Sequence, residues 1–278
     1  MATALDLTPL DGKQTGAEIQ RLVGLMQRLL APGGCPWDRE QTLETLLPYL
    51  VEETYEVVDA ITSGSVPDHR EELGDLLLQI VFQSELRSAE GAFGIDDVAR
   101  GIVEKLVHRH PHVFGDKPAA DAQAVLSNWA KLKAEEKAKK GKKGALDGIP
   151  RSAPALLRAT RAGEKAGAVG FDFADADQPR AKVDEELREL DEARARGDRA
   201  EMTHELGDAL FALVNLGRKL GLDPESALRD ATDRFARRFS HVEETLAAAG
   251  RAVADADPAE QERLWQAAKA AEASERGT

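Results

Sequence analysis

Cysteine is almost missing from this 278-residue chain. The single Cys35 has no partner, so an internal disulfide framework is excluded. Long apolar runs are missing too: nothing approaches the roughly 18 residues of a membrane span, and the N-terminus lacks the basic-then-apolar layout of a signal peptide. Positive charge is in deficit, with 37 Lys and Arg against 50 Asp and Glu and a net charge of −13. That balance argues against a general nucleic-acid binder. There is no GxxxxGK[ST], GxSxG, HExxH or GxGxxG motif, and no Cys/His cluster suited to zinc. The expectation is a cytoplasmic protein with no membrane attachment and no stable nucleic-acid binding.

What the chain has is acid, arranged twice. Glu52-Glu53-x-x-Glu56 is followed by Glu72-Leu73-Gly74-Asp75, and Glu185-Glu186-x-x-Glu189 by Glu205-Leu206-Gly207-Asp208. In both copies the ExxD begins sixteen residues after the last glutamate of the EExxE. The match extends further: Arg109-His110-Pro111-His112-Val113 pairs with Arg238-Phe239-Ser240-His241-Val242, Lys105 with Arg234, and Trp129-x-x-x-Lys133 with Trp265-x-x-x-Lys269. A period this long means two related domains, not a solenoid of short units.

The apolar spacing is helical nearly throughout. Ile19, Leu22, Val23, Met26, Leu29 and Leu30 mark one buried face of a helix, and Leu206, Leu210, Leu213 and Val214 do the same beside the second ExxD. Asp96 and Asp97 are placed to cap a helix that must end before Pro111. No alternating β-branched run is present. The fold class is all-α, each half a small helical bundle. The boundaries read as a loose tail over 1–17, a domain over 18–133, a charged then Gly- and Pro-rich linker over 134–150, a second domain over 151–271, and a fraying tail over 272–278.

On a helix, Glu185, Glu186 and Glu189 fall within a wedge of about 100°, and Glu205 and Asp208 share a face. Two such helices side by side converge four or five carboxylates, whose repulsion demands a positive charge between them. A hard divalent cation with oxygen ligands answers that demand: Mg²⁺ first, with Mn²⁺ as a substitute. The glycine inside each ELGD, costly in a helix interior, suggests close approach of another backbone or a metal-linked group. Arg234, Arg237 and Arg238 sit within two turns of a predicted helix. Lys182 extends the acidic stripe by one turn, and Asn215 follows Asp208 by seven residues on the same face. Cations beside a carboxylate–metal cluster suit a polyphosphate. Trp129 and Trp265 fit either base stacking or core packing. Trp37 either lines a pocket mouth or staples its loop. The His110-Pro111-His112 run reads as a helix end.

With these residues in view, and with Gly34-Cys35-Pro36-Trp37-Asp38, Phe114, Gly170-Phe171-Asp172 and Arg237-Arg238-Phe239 beside them, the chain resembles the MazG family of nucleoside triphosphate pyrophosphohydrolases from about residue 18 to residue 269. The resemblance implies two tandem domains of the all-α pyrophosphatase fold, a homodimer, Mg²⁺ dependence, and cleavage of nucleoside triphosphates between the α and β phosphates over a broad substrate range. Roles in nucleotide-pool clearance or in tempering the starvation response follow from it. It implies Glu186, Glu189, Glu205 and Asp208 as metal ligands. Lys182, Arg234, Arg237, Arg238 and Trp265 become triphosphate and nucleoside contacts, with Asn215 beside them. Glu185 is the spare carboxylate that orients the attacking water and borders the substrate.

The copies are unequal around their carboxylates. Opposite Lys182, Asn215 and Arg237 the first half has Tyr49, Phe82 and His108. It keeps Glu53, Glu56, Glu72 and Asp75 as a second metal set but loses substrate contacts, so turnover is expected in the second half. Two other readings stay open: a metal-stabilised nucleotide-binding scaffold without catalysis, and a narrow-substrate relative acting on dCTP or phosphoribosyl-ATP.

Overall fold

The computed structural model describes residues 7, 9, 16–115, 121, 125, 128, 129, 132 and 144–275. Among them every regular element is helical, in agreement with the all-α reading. The chain forms two compact units, Met1–Glu136 and Lys137–Thr278. The first holds α1 (Ala17–Leu30), α2 (Pro36–Glu40), α3 (Leu47–Ser63), α4 (Val66–Ala89), α5 (Ile95–Arg109) and α6 (Pro111–Phe114). The second holds α7 (Ala155–Gly167), α8 (Asp177–Arg196), α9 (Arg199–Lys219), α10 (Pro224–Ala248), a 3₁₀ turn (Val253–Asp255) and α11 (Pro258–Glu275). Lys133 and residues 134–143 of the expected linker lie outside the described residues, as do 276–278 and most of 1–17.

Each unit is built on a two-helix hairpin, α3–α4 in the first and α8–α9 in the second, and α1 or α7 packs against its second arm. The sequence encodes the hairpin turn in two residues. Gly64 and Gly197 end the first arms in the left-handed conformation, with φ of 74° and 69°, where a Cβ would be strained. The next residue caps the second arm: Ser65 Oγ accepts from the Asp68 amide at 3.4 Å, and Asp198 Oδ1 accepts from the Ala200 and Glu201 amides at 3.1 Å. In the second unit α7 is tied in by Glu225 of α10, whose Oε2 accepts the Leu157 amide at 3.1 Å and so satisfies an orphan donor of the helix N-terminus.

The first core gathers Met26, Leu46, Val81 and Phe82, with Leu22, Val23, Leu29 and Leu30 of α1 against it. The α1 periodicity is realised apart from Ile19, which is exposed in the first turn. In the second unit Val242, Leu246 and Ala256 pack with Leu264 and Trp265 and fasten α10 to α11.

Three expectations are corrected. Leu206, Leu210 and Leu213 are about half exposed, and only Val214 of that set is buried; periodicity marks an apolar face but not what covers it. Among the described residues, nothing beyond the helix's own backbone comes within 4 Å of where a Cβ of Gly74 or Gly207 would stand, so no close approach of another backbone explains them there. Gly163 of α7, outside the motifs, does permit contact: a Cβ there would meet Asn215 Oδ1 at 2.6 Å and Arg218 Nε at 2.8 Å. Asp96 and Asp97 lie inside α5, not at its cap; Gly94 is the cap, and Asp97 reaches back to accept its amide at 3.0 Å. At the C-terminus α11 runs to Glu275, and Glu272 takes ion pairs from Arg237 and Arg238 at 3.2 and 2.7 Å.

The loop before α8 is bolted to the end of α9. Asp172 takes a bidentate ion pair from Arg218 and a second from Lys219 at 2.8 Å. The side chains are 27%, 14% and 18% exposed, shielded enough for the pairing to matter. Hydrogen bonds from Arg218, then Lys219, hold the Asp172 carboxyl well below the ordinary aspartate range. A depressed folded value means stabilisation that is complete above about pH 3.9 and lost as pH falls below it. Asp172→Asn is expected to lower stability at neutral pH by about 1.5–3 kcal/mol and to flatten the acid limb of a melting-temperature profile. An unchanged profile would contradict this.

Candidate active site

The hairpin turn sets the register of the carboxylates. Glu186 lies eleven residues before Gly197 and Asp208 eleven after; in the first unit Glu53 and Asp75 stand in the same relation to Gly64. Antiparallel arms with equal rise per residue therefore bring each pair level. One ligand atom each from Glu186, Glu205 and Asp208 lies within 4.8 Å of the others, and so do atoms from Glu53, Glu72 and Asp75. Glu189 and Glu56 stand just outside these triads. Arg188 Nη2 donates to Glu189 at 3.1 Å, although the Glu189 charge still acts on Glu205.

The two triads differ in how their charge is balanced. In the second unit Lys182 Nζ contacts Glu186 at 2.6 Å and Glu185 at 3.1 Å. The bond to Glu186, then that to Glu185, pushes the Lys182 ammonium far above its usual value. The same contact draws buried Glu186 below the ordinary glutamate range. Burial raises Glu205, opposite in direction to its neighbour Glu186. His204 stands 3.4 Å from both Glu205 and Asp208, and the bond to Glu205 raises its pKa. In the first unit burial raises Glu53, with Asp75 adding to it, and burial raises Glu72, with Glu56 adding. Position 49 there is Tyr49, whose ring meets Trp37 at 5.8 Å, and the position opposite His204 is Glu71, another acid.

His204 is a site residue the sequence reading missed. The signal was present: His204 directly precedes Glu205, and the repeat replaces it with an acid. Asn215 stands two turns beyond Asp208 on α9 and is 3% exposed. The other basic residues form a separate group. Arg238 Nε and Arg237 Nη2 bind Glu272, and Arg238 lies 6.0 Å over the Trp265 ring. Trp265 itself packs into the α10–α11 core, 5.2 Å from the Phe235 ring. Arg234 is half-buried one turn before Arg238. No ion pair joins these residues to the carboxylate triad among the described residues. Trp37 belongs to helix α2 and is half exposed. Trp129 meets the His110 ring at 4.9 Å, and His110 closes the end of α5 through Nδ1 and the Leu106 carbonyl, 2.6 Å apart.

An all-oxygen donor set at this spacing suits a hard divalent cation. Such an ion competes with protons for Glu205. Because burial raises that group, affinity is expected to climb with pH from roughly the ordinary glutamate value of about 4.3 toward neutrality. Manganese titration followed by electron paramagnetic resonance should show this slope in the wild type and a weak, flatter response in Glu205→Gln. Wild-type binding that ignores pH would contradict the assignment.

Comparison with known proteins follows the same division into halves. A family model described as MazG nucleotide pyrophosphohydrolase domain matches residues 41–114, and one described as Phosphoribosyl-ATP pyrophosphohydrolase matches residues 168–235. The chain is 47% identical to the nucleoside triphosphate pyrophosphohydrolase of Escherichia coli (strain K12) over 91% of its own length and 97% of that protein. It is 44% identical to the nucleoside triphosphate pyrophosphohydrolase/pyrophosphatase MazG of Thermotoga maritima, over 92% of its own length and 98% of that protein.

Proposed function

Because the chain belongs to the MazG family of nucleoside triphosphate pyrophosphohydrolases, we propose that it hydrolyses ribo- and deoxyribonucleoside triphosphates to monophosphate and pyrophosphate, with Mg²⁺, in the second unit. It is thereby a hydrolase of acid anhydrides, acting on a broad set of nucleotides in the cytoplasm. The observation that carries this reading is the convergence of Glu186, Glu205 and Asp208 with Lys182 beside them: acid to hold a cation and a cation to face phosphate.

In this reading Glu186, Glu205 and Asp208 hold the ion, with Glu189 as an outer ligand one turn along. A bound Mg²⁺ supplies Lewis-acid polarisation of the phosphoryl oxygens and lowers the pKa of water. Glu185, about half exposed next to Glu186, orients the attacking water and accepts its proton. Lys182 offsets charge on the leaving pyrophosphate. Arg234 is a further contact, as are Arg237 and Arg238 once Glu272 releases them. The half-exposed Leu206, Leu210 and Leu213 support a homodimer, whose second copy covers this face.

The match of residues 168–235 to the phosphoribosyl-ATP enzyme model favours one second reading, a narrower substrate. A panel of nucleoside triphosphates plus phosphoribosyl-ATP, assayed for pyrophosphate with the full-length protein in Mg²⁺, separates the two. The expected result is release from several triphosphates, and turnover of phosphoribosyl-ATP alone would replace the proposal. In ¹⁸O-labelled water the label is expected in the monophosphate; label in pyrophosphate would mean attack at the wrong phosphorus.

A further inference from the structure

The imidazole of His204 sits among oxygen ligands on the second hairpin. His204 Nδ1 lies 3.4 Å from Glu205 Oε1, and Nε2 lies 3.4 Å from Asp208 Oδ2. Both neighbours belong to the triad that Glu186 completes. One turn earlier on α9, Glu201 brings a carboxylate oxygen within 4.8 Å of the His204 and Glu205 ligand atoms. Helical spacing explains the grouping. Residues 201, 204, 205 and 208 follow i, i+3, i+4, i+7, so all four rise from one face of α9.

Three observations mark the ring as a metal ligand. First, neighbouring ligands of an octahedral ion with bonds of about 2.1 Å stand about 3.0 Å apart. The two contacts at 3.4 Å are close to that spacing, and both are too long for strong hydrogen bonds. Second, the His204 side chain is 68% exposed while that of Glu205 is 7% exposed. Packing does not hold the ring, so its place reflects the carboxylates that it faces. Third, the repeat supplies a contrast. The first unit has Glu71 at the corresponding position, and among the described residues no histidine joins the grouping of Glu53, Glu72 and Asp75.

We propose that His204 is a nitrogen ligand of the cation held by Glu186, Glu205 and Asp208, and that it turns this site toward transition ions such as Mn²⁺ and Co²⁺ in preference to Mg²⁺. The assignment rests on the metal-dependent reading above and adds what selects the ion. Mg²⁺ is hard and takes oxygen ligands. Imidazole adds more to the binding of first-row transition ions, whose affinities for nitrogen ligands rise along the series from Mn²⁺. Three carboxylates remain for Mg²⁺, so the lighter ion still occupies the site when it is abundant. The first triad, with Glu71 beside it, keeps an all-oxygen set and is the internal reference. The two clusters of one chain therefore differ in the ion they retain from a mixture.

The test uses the full-length protein without nucleotide, Mn²⁺ as the probe and Mg²⁺ as its competitor, at about pH 8 to limit competition from protons for the ring. Electron spin echo modulation of bound Mn²⁺ reads a ligating imidazole nitrogen directly. The ¹⁴N modulation is expected in the wild type and lost in His204→Gln and His204→Glu. The preference for Mn²⁺ over Mg²⁺ is expected to fall about tenfold in both, the lower end of what one substitution around a metal costs. His204→Glu keeps a ligand and removes only the nitrogen, and the exposure of the ring makes both variants safe for folding. A wild type without the modulation, modulation that persists in the variants, or an unchanged ion preference would overturn the assignment while leaving the carboxylate site standing. Mn²⁺ binding that Glu186→Ala leaves unchanged in number and affinity would overturn the underlying metal reading of the second unit.

Discussion

Repulsion among carboxylates crowded between two helices governs this molecule. Three acidic groups within 4.8 Å cannot all remain ionised without positive charge between them. Among the described residues the first unit sets none on its triad, and burial together with acidic neighbours raises Glu53 and Glu72. The second unit divides the problem: Lys182 keeps Glu186 ionised, while Glu205 is raised by burial. A divalent cation resolves either cluster. Among the described residues only the second has a lysine on the same carboxylates and a histidine beside them, which is the ground for proposing the phosphate-facing chemistry there.

The hairpin makes the crowding possible. A left-handed glycine and a capping serine or aspartate turn the chain in two residues, and equal counts on either side bring the acids level. The same arm of the second hairpin continues past Asp208 to Phe211 and Asn215, so one helix carries the carboxylates and the buried amide. The Asp172–Arg218 bolt locks the loop carrying Phe171 to that helix and also fixes the Asn215 amide.

Much of this was legible in the sequence because repeats and helical periodicity are local. The all-α class, the duplication, the hairpin acids and the inequality of Tyr49 with Lys182 or Phe82 with Asn215 needed only spacing. What escaped depends on three-dimensional context. The Leu206, Leu210 and Leu213 stripe looks like core by period, yet the chain leaves it half exposed. Gly207 looked like a contact site and has open space, whereas Gly163, in no motif, is the one wedged against a buried amide. Asn215 was visible by its spacing from Asp208, but the Arg218 contact that orients its amide depends on Asp172, in a loop that periodicity does not relate to the helix.

The central claim is that two similar acidic clusters have unequal roles, because their neighbours differ. The most direct measurement is pyrophosphate release by full-length Glu186→Ala and Glu53→Ala under saturating Mg²⁺ and nucleoside triphosphate, with folding checked by circular dichroism. Glu186→Ala should lose nearly all turnover and Glu53→Ala should keep most of it. Equal losses would contradict the account.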